Sequence, residues 1–238
     1  MLFDRWRYDV KLLGRLAFFT PLLMMTGFAL VGVFLYTSGV SPARFLSAGL
    51  EIFLPVAMGV IGATVSMHDP ALELQITLPH SYAMTALRRL FCVTGWSACI
   101  ALLSSGLIAL FHLGYPPQQI QGWPMPLQVL ATQMIWLVPL LWFVAVGLFL
   151  ALLTHSRTAS SALLAIIWII EALFLGNIAE KTPWLRPIML FSTTLSPDAS
   201  YWLSSHIVLL LTALLLVPIN WLLLRNTEGL LKGMSEAE

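Results

Sequence analysis

The chain has 238 residues, 59% of them hydrophobic and only 10% charged, against roughly 25% charged in an ordinary soluble domain. That balance excludes a water-soluble globular protein, and no basic patch interleaved with aromatics points to nucleic acid. The net charge of +1 says less than the placement of the charges, because Leu16–Ala43 and Leu90–Leu153 contain no Asp, Glu, Lys or Arg at all.

In chain order, the first element is not a span. Phe3, Trp6, Val10 and Leu13 recur at helical spacing, with Asp4, Arg7, Lys11 and Arg15 on the opposite side. The pattern predicts an amphipathic helix over 1–15 lying in the membrane interface, its basic face toward anionic headgroups. A cleaved secretory signal is the competing reading. The uncharged run that follows is too long for a signal's apolar region and no small-x-small site ends it, so the segment is expected to be retained.

A hydrocarbon core of about 30 Å takes roughly 20 residues of apolar helix. Six such segments follow: Leu16–Tyr36, Phe45–Val65, Leu90–Leu113, Leu127–Leu153, Ala159–Ile178 and Tyr201–Leu224. They form an expected all-α transmembrane domain over 16–224, followed by a tail at 225–238. Turn residues at Thr37-Ser38-Gly39 with Ser41-Pro42, and the prolines between Gly114 and Pro126, mark boundaries. Six spans put both termini on one side. With the N-terminus inside, Arg5, Arg7, Lys11, Arg15, Arg88, Arg89, Arg157, Arg225 and Lys232 are cytoplasmic, while Arg44, Lys181 and Arg186 are outside. The positive-inside rule therefore predicts N-in and C-in, in the cell (inner or plasma) membrane.

Chemistry-bearing patterns are scarce. There is no GxxxxGK[ST], HExxH, CxxC, GxSxG or GxGxxG. Cys92 and Cys99 lie about 10 Å apart along one helix, too far to pair, and read as small buried hydrophobes. The five histidines are scattered, and no cofactor or metal site is expected. Two carboxyls fall within spans, Glu51 and Glu171. Both sit near the outer ends, where shallow hydrated positions are the plain reading. If both face one cavity, they form an outward-facing acidic ring on a substrate path.

Two connections carry more information. Between the second and third spans, Asp69 can cap a helix opened by Pro70 and stopped by Pro79, giving a short cytoplasmic helix at about 69–79. Between the fifth and sixth, Glu180–Pro187 is polar and broken by prolines, Ile188–Phe191 is apolar, and Thr193–Asp198 is polar again. That alternation predicts a re-entrant outer segment at about 179–198, since irregular backbone at membrane depth must be buried in protein or meet water.

The stretch Leu72-Glu73-Leu74-Gln75-Ile76-Thr77-Leu78-Pro79-His80-Ser81, with Arg89 downstream, resembles the coupling-helix region of type-2 ABC exporter permeases. Asp69-Pro70 departs from the Glu-Arg-Glu run of many members. The resemblance implies that Asp69, Glu73, Leu74, Thr77, Leu78 and Pro79 contact a separate ATP-binding subunit, with Leu74, Leu78 and Pro79 packing and Glu73 pairing with a basic residue. A capped loop that merely shields the bundle underside is the alternative. The missing catalytic motifs predict a chain that is not itself an enzyme; six spans are few to enclose a path, so a second copy or a related permease is expected beside it, and the apolar, charge-poor composition favours an amphiphilic substrate. An intramembrane enzyme and an ATP-independent transporter or assembly factor are the competing expectations.

Overall fold

The computed structural model describes residues 2–67, 82–114, 117–175 and 181–225. Among the described residues there is no strand, and six helices are long and apolar enough to cross a bilayer. The protein is a multi-pass α-helical membrane protein. We label the spanning helices α1 (Leu2–Thr37), α2 (Ala43–Ala48, Gly49–Phe53 and Leu54–Met67 in succession), α3 (Tyr82–Leu110), α4 (Met125–Thr154), α5 (Arg157–Ile170 continuing into Glu171–Leu175) and α6 (Trp202–Arg225).

The expected coupling helix, with Asp69, Glu73, Leu74, Thr77, Leu78 and Pro79, lies outside the described residues, as do His68 and His80 and everything after Arg225. The third span begins earlier than expected. Its helix is already formed at Tyr82 and carries Arg88 and Arg89 in its second turn, with Arg88 half-buried and Arg89 buried within the bundle.

Local chemistry explains the helix ends. In α1, Gly14 has φ 73° and ψ 156°, a conformation open to glycine at no steric cost, and it breaks the helix ahead of the apolar stretch Ala17–Thr37. That stretch ends in a Schellman motif around Gly39 (φ 76°), with Val40 N–H donating to Leu35 O (3.0 Å) and Gly39 N–H to Tyr36 O (3.1 Å). α3 closes in the same way around His112, at φ 53°. At the other end of the bundle, His155 (φ 51°) ends α4 and Ser156 caps α5 through its hydroxyl, a connection tight enough to force the two helices antiparallel.

Helices α2 and α4 form the centre, with 56% and 61% of their spans buried against 17–22% in the other four. Their backbones nearly touch. A Cβ on Gly147 would lie 2.3 Å from Gly59 O, and one on Gly59 would lie 2.9 Å from Phe143 O. Gly59 thus provides a close-approach surface on α2, and its partner is α4 of the same chain. α3 faces outward along much of its length. Cys99 is exposed and Cys92 only half-buried, so the expectation of buried cysteines fails because an apolar helix at the rim of a bundle turns apolar residues to lipid as readily as to protein.

Gly147→Ala should therefore force α2 and α4 apart. The expected cost is about 3 kcal/mol, at the upper end of overpacking effects, or a fall in Tm of about 6–12 °C in detergent. Gly95→Ala, where a Cβ meets nothing within 4 Å, should leave Tm unchanged or raise it slightly. Equal effects of the two would refute the packing argument.

Candidate functional site

The connection between α5 and α6 folds back into the bundle. Pro183–Ile188 forms a 3-10 turn, Met189, Leu190 and Phe191 are fully buried, and Ser192–Leu195 makes one helical turn before the chain returns to α6. The apolar triplet is the anchor, with the Phe191 ring lying parallel to that of Phe143 in α4 at 6.0 Å. Its three side chains enter the core, and their backbone must then find partners away from water.

The two intramembrane carboxyls supply them. Glu51 accepts from Thr193 N–H (Oε1, 2.9 Å), from Thr194 N–H (Oε2, 2.7 Å) and from the Thr194 hydroxyl (Oε2, 2.5 Å). It caps, from a distant helix, the free amides at the start of the 192–195 turn. Glu171 accepts from Leu190 N–H at 3.3 Å. Trp202 donates its indole N–H to Thr193 Oγ1 (2.8 Å), the hydroxyls of Ser192 and Ser205 meet at 3.2 Å, and Tyr201 donates to Met189 Sδ at 3.2 Å. From the α3–α4 connection, Gln119 accepts from Leu203 N–H at 3.1 Å and donates to Ser200 O. The returning chain is thus held from α2, from α5, from α6 and from the turn before α4.

Both glutamates lie in π-helical turns, Gly49–Phe53 and Glu171–Leu175, a form that concentrates at functional sites. For the first the sequence provides a cause. Pro55 has no N–H to offer Glu51 O, and its ring crowds that carbonyl in a regular α-helix. The turn widens instead, with Leu54 N–H donating to Gly49 O. Gly49 also makes room for the Phe28 ring, since a Cβ there would lie 2.7 Å from it. Phe28 in turn contacts Phe45 and Phe53, and Phe53 contacts Trp168 of α5.

The shallow hydrated position expected for Glu51 is corrected, for the residue has no solvent exposure, and Glu171 retains 5%. Burial follows from the returning segment, which covers both. The structure does bring the two residues onto one feature, and Glu171 also borders a cleft of about 510 Å³ with Trp142, Ile167, Leu190 and Leu209. Sequence reading found both carboxyls but missed Thr193, Thr194, Ser205, Trp202 and Gln119. The run Ser192-Thr193-Thr194, three hydroxyl residues behind an apolar triplet, was the available signal. Among the described residues no group of His, Cys, Asp and Glu is arranged to hold a metal ion. Comparison with protein-family models, with curated proteins and with solved structures yields no match.

Replacing Glu51 by Leu strands two amides and a hydroxyl, at a cost of about 3 kcal/mol or more. Trypsin cleavage after the exposed Lys181 should then accelerate by roughly 100-fold as the segment opens locally. Thr194→Val removes one donor and should cost about 1 kcal/mol. Cleavage of Glu51→Leu at the native rate would show that the carboxyl does not hold the segment.

Proposed function

We propose that this chain is the transmembrane subunit of an ATP-driven exporter or flippase of the type-2 ABC kind, moving an amphiphilic substrate. The observation that carries the reading is the grip of Glu51 on the returning segment, because of what lies at the two ends of α2. One end holds the plug-like turn at Thr193 and Thr194. The other, about 24 Å away at 1.5 Å per residue, leads through Met67 into the 69–79 stretch that resembles a coupling helix. Close packing of Gly59 on Gly147 stiffens the rod between them. Displacement of the coupling segment by a partner, once passed to Met67, would travel along α2 to the outer gate.

Several features support the assembly that this requires. Six spans are few to enclose a path, so two copies, or this chain with a related one, flank it, above two ATP-hydrolysing subunits. The uneven distribution of Lys and Arg supports N-in, C-in orientation in the cell membrane. The break at Gly14 supports reading the stretch before it as a separate amphipathic helix along the interface. Glu73, Leu74, Leu78 and Pro79 would dock on the ATPase subunit, with Asp69 and Thr77 beside them. The chemical step belongs to that subunit. Glu51 and Glu171 enter the path only when the returning segment lifts and uncovers them.

Extraction in mild detergent should bring down a subunit with a phosphate-binding loop, and Glu73→Ala combined with Leu78→Asp should release it while the six-helix domain keeps its Tm. Absence of any nucleotide-binding partner from the wild-type extract, or a partner that stays bound to the double variant, would overturn the proposal.

A further inference from the structure

On the side of the bundle away from the returning segment, helices α3, α4 and α6 enclose a cleft of about 500 Å³, within the usual range of small-ligand sites. Its walls are apolar: Leu87 and Phe91 from α3, Val144 and Leu148 from α4, and Leu214 and Val217 from α6. Phe91, Leu214 and Val217 are exposed, at 76%, 56% and 51%, so the cleft opens sideways where the bilayer would lie. Such an opening cannot stay empty in a membrane, and an acyl chain is the natural filler.

Three polar residues, Arg88, Thr94 and Asn220, line the cleft as well, and two of them bear on what it holds. Arg88 lines it, in the second turn of α3, and contributes a cation at the end nearest the helix terminus. Asn220 also lines it and is 2% exposed. Its amide N–H donates to Ala145 O at 2.9 Å, which ties α6 to α4, while Oδ1 has no hydrogen-bond partner. An unmatched acceptor in apolar surroundings is costly and calls for a donor on whatever occupies the cleft. A cation at headgroup level, an apolar slot beneath it and an acceptor in its wall match a lipid with an anionic phosphate and a hydroxyl or ammonium group. Basic pockets between spanning helices are a recurrent solution for binding such headgroups.

We propose that the α3–α4–α6 cleft is a binding site for one anionic phospholipid, its phosphate on Arg88 and one acyl chain between Phe91 and Val217. The site lies apart from Glu51 and Glu171 and stands whether or not the chain is a permease. The lipid bridges α3 and α6 beyond the direct packing that Ala83 and Ala86 share with Leu224.

The test is native mass spectrometry of the full chain released from nanodiscs of equal phosphatidylglycerol and phosphatidylcholine. The wild type should retain one phosphatidylglycerol in about fivefold preference, the ratio expected from one basic side chain near a lipid phosphate. Arg88→Gln should erase the preference, Arg88→Lys should keep it, and Val217→Trp, which fills the slot from an exposed position, should lower retention of both lipids. Arg157→Gln, an exposed cation outside the cleft, should behave as wild type and so distinguishes the site from general attraction to the protein's basic side. Equal retention of the two lipids by the wild type, a preference that survives Arg88→Gln, or one lost in Arg157→Gln would each overturn the proposal.

Discussion

A Cβ on Gly147 would stand 2.3 Å from the carbonyl oxygen of Gly59, so α2 and α4 can meet as they do only with glycine at that crossing. In hydrocarbon there is little hydrophobic gain in pressing one apolar helix against another, and close packing between small residues supplies much of the attraction. The remaining helices are arranged around this contact. Ser160 of α5 donates to Gly147 O (3.0 Å) and Asn220 of α6 to Ala145 O, so two of the outer helices attach by hydrogen bonds to the same stretch of α4.

From that axis follows the position of Glu51, and from Glu51 the course of the α5–α6 connection. An irregular chain buried in the bundle holds amides that no water can satisfy, and a carboxyl buried beside it is otherwise expensive. Each needs what the other has. The returning segment presents N–H groups at Leu190, Thr193 and Thr194, and the two glutamates accept them. Removing one side would leave the other stranded, which is why the arrangement behaves as a latch.

The spans themselves were legible to within a few residues, because a stretch without charges as long as the bilayer is thick has few other uses. Misplacement of the third span by eight residues at its start has a clear cause. Arg88-Arg89 reads as a boundary, yet Arg89 is 4% exposed inside the bundle, and a helix at a membrane surface does not stop where its charges begin. The apolar triplet 189–191, which is buried in the bundle, stood out in the sequence from its polar neighbours, and the two carboxyls from their rarity. Their partners did not, since Thr193 and Glu51 are 142 residues apart and nothing local in either residue names the other.

The sequence alone determined the all-helical class, the number of spans, the proline and glycine positions at which helices bend or end, and the presence of two costly carboxyls. These are local or compositional properties, set by bilayer thickness and by backbone chemistry that each residue carries with it. The tertiary structure decided which helix lies at the centre, which glycine meets which, and that Glu51 is covered rather than hydrated. Those outcomes depend on pairings across the whole chain, where hydrophobicity is nearly uniform and a few small or polar residues break the tie.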